Sequence, residues 1–326
     1  MPGNQTNNGK AFEYASLKAI YNTFQNQAEG EEVVIEDSPQ LRTAKTHYEG
    51  MSEAEQAELD AAVDAATRVI TRLEPQLHAQ TNVPLILAIQ TDAQGMAGDV
   101  RDVICIRRQN QWQIGLSCKH NHHAVKHSRL SGSIDFGAEW FGYPCSAEYF
   151  RAVRPIFSRL ERLRSAGRAE GLTALWENVP NKAEDYYLPV LTAFMDELQR
   201  LAAEHDDVPT KLIEYLIGRY DFYKVISNTS KQYTRVEAIN INGTLNKPAG
   251  RIKPLVDVAR IKPPARFYHI GLKPDSDNTV EIVCDEGWSI TMRIHNASKR
   301  VEPSLKFDVQ LTALPNAIYT HDEPWQ

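Results

Sequence analysis

The stretch "RDVICIRRQNQWQIGLSCK" (101–119) decides how this chain is read. Its first part, "RDVICIRR" (101–108), is an apolar, β-branched run headed by a charged pair. Its second, "WQIGLSCK" (112–119), alternates. Trp112, Ile114, Leu116 and Cys118 fall on one side, and Gln113, Gly115, Ser117 and Lys119 on the other. The short Gln109–Gln111 connection predicts a hairpin. "VPLILAIQT" (83–91) supplies a strand before it, and "GMAGDV" (95–100) a turn. Such a hairpin brings Asp102, or Asp99 just ahead of it, close to Ser117 and Lys119 at one edge of a sheet.

Upstream, the chain turns helical from Phe12, and Leu17, Ile20 and Phe24 repeat on one face. Glu13 falls on the same stripe. A carboxylate on an inward face is costly unless it is paired or bound to a metal, and an ion pair at the stripe's edge is the plain alternative. An acidic helical insert occupies about 38–78. Ser52 and Glu55 make a capping box there, and Leu59, Val63, Ala66, Ile70 and Leu73 form an apolar stripe that Pro75 ends. Downstream, helices are predicted at 147–166, 189–204 and 209–218. Strands follow near 221–226, 233–240, 266–272, 279–284, 288–294 and 306–313. The fold class is α/β (α+β), with a core at 1–205 and a β-rich half at 206–326.

Composition narrows the function. A chain of 326 residues, 42% hydrophobic and 24% charged, can bury a substantial core. With a net charge of −6, any nucleic-acid contact must come from local basic patches. Cys105, Cys118, Cys145 and Cys284 are widely spaced with no CxxC pair, which argues against a zinc site. The N-terminal "MPGNQTNNGK" has no apolar core for a signal peptide, and no run reaches membrane-spanning length. The protein reads as soluble and intracellular, with no membrane partner.

Carboxylates gathered with a lysine suit Mg²⁺-dependent cleavage of a phosphodiester. Mg²⁺ takes oxygen ligands, keeps several waters and uses one or two protein carboxylates. The lysine orients the attacking water or stabilises charge beside the scissile phosphate. A helix with Glu, a strand, an Asp-led strand and a strand ending in acid-x-Lys is the layout of the PD-(D/E)XK nucleases. More narrowly, "GKAFEYASLKAIY", "GDVRDVICIR", "IGLSCKHNHHAVKHSRLS", "FGYPCS", "DFYKVI", "GTLNKP" and "RIHNASKRVEPSLKFDVQL" together resemble the HaeIII-type restriction endonucleases, from Gly9 to about Leu311.

The resemblance implies a restriction-endonuclease-like core, with a central mixed sheet flanked by helices. It implies a type II restriction enzyme of the prokaryotic cytoplasm that cuts double-stranded DNA at GGCC, between the central G and C. A GGCC methyltransferase would be its functional counterpart. Because GGCC is palindromic, a homodimer and a monomer are both compatible with it. One departure matters: the triplet here is Ser117-Cys118-Lys119, with a serine where the acid stands. A hydroxyl is a weak Mg²⁺ ligand, so the metal would rest on Asp102, Asp99, the Cys118 carbonyl and Glu13, which favours a single ion. The serine also leaves a second reading, a DNA-binding protein on a decayed nuclease core.

Four histidines, two lysines and an arginine fall within eleven residues from Lys119. His120, Asn121 and His122 are consecutive, so their side chains cannot converge as an HNH nuclease site requires. His120, His122, Lys126, His127 and Arg129 are instead expected at the start of a helix after the strand, facing DNA, with His127 or His122 able to assist the leaving group. Base reading calls for Arg or Lys in the major groove. The candidates are "NKPAGRIKPLVDVARIKPPAR" (246–266), with six basic residues against one acid, and "RIHNASKR" (293–300). Lys247, Arg251, Arg293, His295, Asn296, Lys299 and Arg300 are the side chains to follow, and contacts to phosphate are the commoner role for such residues.

Overall fold

Val103–Arg107 and Trp112–His120 pair as an antiparallel hairpin, with Val103 opposite Leu116 and Cys105 opposite Ile114. The structure, a computed structural model, describes residues 2–25, 32–78, 83–91, 99–120, 128–169 and 174–326. Its helices are α1 (Pro2–Gln25), α2 (Pro39–Glu49), α3 (Glu53–Leu73), α4 (Phe136–Phe141), α5 (Ala147–Ala169), α6 (Leu188–Glu204) and α7 (Val208–Ile217). Its strands are β1 (Val33–Ile35), β2 (Leu85–Ile89), β3 (Val103–Arg107), β4 (Trp112–His120), β5 (Arg129–Ser131), β6 (Phe222–Asn228), β7 (Tyr233–Ile239), β8 (Phe267–Leu272), β9 (Thr279–Cys284), β10 (Ser289–His295), β11 (Ser304–Ala313) and β12 (Tyr319–Pro324). It is a mixed α/β protein.

These elements pack into two compact units, each made of segments distant in sequence. The first comprises Met1–His123, Arg219–Ile261 and Ala317–Gln326, and the second Ala124–Gly218 and Lys262–Asn316. Residue 205, where composition shifts, falls just past α6 inside the second unit.

The first unit holds a mixed sheet in the order β1-β2-β3-β4-β6-β7-β12. β1 runs parallel to β2 and β4 parallel to β6, and the other neighbours are antiparallel. Two helices cover one face: α1 lies against β2 and β4, and α3 against β6, β7 and β12. The alternation of β4 sets which side is which. Ile114, Leu116 and Cys118 join Leu85, Leu87, Val103, Tyr223 and Val225 in the core under α1 and α3. α3 begins where the sequence places it: the Ser52 hydroxyl accepts the Glu55 amide, and Glu55 accepts the Ser52 amide in return.

The second unit has its own antiparallel sheet, in the order β5-β11-β10-β9-β8. Phe136, Phe194 and Phe307 fill its core, with ring centroids 4.9 Å and 5.1 Å apart in successive pairs. Two expectations are corrected here. The C-terminal strands do not form one β-rich body, because β6, β7 and β12 complete the first sheet and only β8–β11 belong to the second. Arg129 does not begin a helix after β4; it lies in β5. There Leu130 is buried opposite Leu305, and the Arg129 guanidinium donates to Glu302 at 2.5 Å. Pairing with β11 satisfies this backbone at the sheet edge, which a short segment without periodicity does not announce.

Candidate active site

Three charged side chains meet at the end of β4. Asp102 leads β3, and its backbone is fixed on both sides: its amide donates to the Leu116 carbonyl at 2.7 Å, and its carbonyl accepts the Gln90 amide at 2.9 Å. The side chain is aimed by a further bond, in which the Cys118 amide donates to Asp102 Oδ2 at 2.6 Å. Lys119 Nζ stands 3.5 Å from the same oxygen. That carboxylate charge is the main reason the lysine holds its proton more tightly than a free lysine.

Glu13 enters from α1, on the inward stripe, and is buried. Lys10, one turn back, donates to its Oε2 at 3.1 Å. Burial, and then the nearby Asp102 charge, push its carboxyl up to about 7. The neighbouring lysines offset only part of this.

A buried carboxyl beside a second carboxylate is short of positive charge. That fits a hard divalent cation taking one or two carboxylates and filling its remaining positions with water. Among the described residues, no cluster of three or more His, Cys, Asp and Glu side chains gathers as a metal-binding group.

Asp99 is engaged elsewhere. Arg101 reaches its two oxygens from Nε and Nη2, each at 2.8 Å, and Gln90 Nε2 donates at 2.6 Å. The Arg101 guanidinium also stacks 3.9 Å over the Tyr220 ring. Its stem lies across β4 where Gly115 has no side chain; a Cβ there would fall 2.2 Å from Arg101 Cδ. Asp99 is thus one side of a bidentate ion pair.

Ser117 is buried on the opposite face of β4 from Cys118. In register beside it stands Lys224 on β6, and beside that Glu237 on β7. Both are buried, with Lys224 Nζ 3.8 Å from Glu237 Oε2. Burial, and the charge of Lys119, make Lys224 easier to deprotonate. The sequence reading gave this pair no role. The signal was present, since Lys224 interrupts an otherwise apolar strand in "DFYKVI".

His120 ends β4 half-buried, with its Nδ1 3.0 Å from the Ser227 hydroxyl and its ring 5.9 Å from Phe12. Burial lowers its pKa, which favours the neutral imidazole. His122, Lys126 and His127 lie outside the described residues.

The base-reading candidates divide between the units. Lys247 and Arg251 belong to the first, and Arg293, Asn296, Lys299 and Arg300 to the second. Arg293 pairs with Asp308 at 2.8 Å. Asn296 is buried and builds its own turn: Nδ2 donates to the Ser298 and Arg300 carbonyls at 2.6 and 2.7 Å, and Oδ1 accepts the Glu302 amide at 2.9 Å. Lys299 and Arg300 are exposed at the end of that turn.

A mixed sheet with helices on one face, an Asp-led strand and a neighbouring strand with a lysine one residue before its end fit a restriction-endonuclease-like protein. The comparisons narrow the class. The sequence model of the HaeIII restriction endonuclease matches residues 9–315. The type II restriction enzyme HaeIII of Haemophilus aegyptius is 37% identical over 328 residues, covering 100% of both chains. The chain belongs to the HaeIII restriction endonuclease family, and with that it is a type II restriction endonuclease, a hydrolase of DNA. No solved structure matches it. No described helix is long and apolar enough to cross a membrane.

Proposed function

We propose that the protein cuts double-stranded DNA at GGCC, between the central G and C, by Mg²⁺-dependent hydrolysis at the group formed by Asp102, Lys119 and Glu13. The observation that carries this reading is the pairing at the end of β4: one Asp102 oxygen held by the Cys118 amide at 2.6 Å and facing Lys119 at 3.5 Å, with a buried second carboxylate alongside. Asp102 and Glu13 would hold the ion, with the Cys118 carbonyl as a further oxygen ligand. When bound, Mg²⁺ supplies an acidified water and neutralises charge on the pentacovalent transition state.

The chain's own residues do the rest. Asp102 keeps Lys119 protonated, so the lysine donates to a non-bridging phosphate oxygen instead of acting as a base. The Cys118 amide keeps Asp102 from rotating away, which preserves the spacing between carboxylate and ammonium. Asp99, tied to Arg101, braces the strand entry and takes no part in chemistry. Ser117 contributes no charge to the site. A host carrying such an activity needs a methyltransferase that protects its own GGCC sites.

The test is to incubate the purified protein with plasmid DNA of known sequence, with and without Mg²⁺, and to map the ends. Mg²⁺-dependent fragments ending at GG/CC are expected. Discrete ends at another sequence would remove the assigned specificity, and intact DNA would favour a binding protein on a decayed core.

A further inference from the structure

We propose that Arg164, Arg168 and Arg300 form a notch that grips one backbone phosphate of the DNA, an anchor separate from base reading. The proposal rests on the nuclease reading above and adds a place on the second unit where the duplex is held. The three side chains line one cavity of about 340 Å³, together with Ser298 and Glu302.

Arg164 and Arg168 stand one turn apart on α5, so both point from the same face. Like charges at that spacing oppose helix formation, and bringing a third guanidinium to them adds repulsion. An anion bound between them reverses the sign of that term. Among the described residues the nearby acids offset only part of it: Glu302 already accepts Arg129 at 2.5 Å, and Glu161 pairs with Arg164 alone, at a long 3.8 Å. On a chain of net charge −6, this is the kind of local basic patch that DNA contact requires.

The third arginine is held by construction. Besides the Asn296 bonds, the Ser298 hydroxyl donates to the Arg300 carbonyl at 2.9 Å and accepts the Arg300 amide at 3.2 Å. The chain returning after α5 pairs with this turn: the Trp176 amide donates to the Lys299 carbonyl at 2.8 Å, and the Val301 amide to the Ala174 carbonyl at 2.9 Å. The turn and α5 therefore present their arginines from fixed supports.

Geometry separates phosphate from base. A guanine edge offers O6 and N7 to a single planar guanidinium. Three guanidiniums around one concavity suit a tetrahedral anion that can accept from several directions. Phosphate is the shared chemistry, and its source is the DNA backbone or a free anion.

The test measures binding with Ca²⁺ in place of Mg²⁺, on a GGCC duplex and on a scrambled one, across a range of salt. Arg168→Ala and Arg300→Ala should each weaken both duplexes by the same factor. Each should also reduce the slope of log affinity against log salt by about 0.9, the signature of one lost phosphate. Because both residues grip the same phosphate, the double variant should lose no more slope than either single one. Unchanged affinity and slope would overturn the notch, and so would a loss confined to the GGCC duplex, which would make Arg300 a base reader. A double variant losing about 1.8 in slope would mean two separate contacts. If inorganic phosphate raises the melting temperature of the wild type but not of the variants, while DNA affinity is unchanged, the site takes a free anion and the DNA assignment is wrong. A wild-type protein that holds neither duplex would instead sink the functional reading itself.

Discussion

Replacing Glu74 with glutamine should change how the protein's stability responds to pH. Glu74 is fully buried just after α3. Its Oε1 accepts the Tyr223 hydroxyl at 2.6 Å and the Asn246 amide at 2.7 Å, while Oε2 has no hydrogen-bond partner among the described residues. Asn246, at a φ of 61°, donates in turn to the Leu73 and Val256 carbonyls and accepts the Val258 amide, so this carboxyl anchors the start of the basic 246–266 loop. Burial pushes its pKa from 4.5 up to about 7, against the two hydrogen bonds that favour the anion.

A folded pKa above the unfolded one means that the native state keeps a proton the unfolded chain releases. Stability from this group is therefore fully present below pH 4.5, falls as pH rises toward 7, and changes little beyond about 8. At about 1.4 kcal/mol for each tenfold change, the span is about 3 kcal/mol. Glutamine cannot ionise, so the variant lacks this slope. The fixed penalty of its buried amide is the same at every pH and drops out of the comparison. Urea unfolding of both proteins at pH 5, 6, 7 and 8.5 measures it. The variant should gain on the wild type by about 3 kcal/mol between the lowest and highest pH. A difference that stays flat with pH would refute the reasoning.

Other changes test the site and its supports. Lys119→Met should slow single-turnover cleavage by at least about 100-fold while DNA affinity is retained, since the lysine acts on transition-state charge; a normal rate would mean the chemistry lies elsewhere. Gly115→Ala should destabilise by about 1–3 kcal/mol, because its methyl group meets the Arg101 stem. Pairing it with Arg101→Gly, which also removes the Cβ that would stand 2.7 Å away, should remove most of that clash in a double-mutant cycle, and strict additivity would contradict it. Asn296→Ala should lower stability by about 3 kcal/mol through three lost hydrogen bonds and weaken binding to all duplexes alike. Weakening on GGCC alone would make Asn296 a base reader.

Regular periodicity made most of the first unit legible. The alternation of β4, the stripe of α3 and its capping box each repeat a local rule often enough to be read without neighbours. β1 and β12 were not foreseen: one is three residues long, and the other, "YTHDEP", is a half-exposed edge strand ending in proline. Side-chain direction was the harder limit within the candidate site. Asp99 and Asp102 look alike in sequence, and what separates them is that Arg101 folds back onto the first while the Cys118 amide claims the second. Asn296 has the residue type of a base reader, and its burial inside a turn depends on backbone carbonyls that no motif displays. Lys224 needed Glu237, on another strand, before it had a visible partner.

The parallel contact between β4 and β6 bears on how the molecule is assembled in time. Ser117 lies beside Lys224 and Lys119 beside Ile226, yet roughly 100 residues separate the partners along the chain. Closing a loop of that length carries an entropic cost of about 4 kcal/mol before any pairing returns it. The strand that bears Lys119 can find its neighbour only after that long excursion is tethered. High contact order of this kind slows folding, and it leaves one edge of β4 open to wrong partners while the search lasts. Refolding from urea should therefore be slow, with aggregation at high protein concentration competing with closure of the sheet.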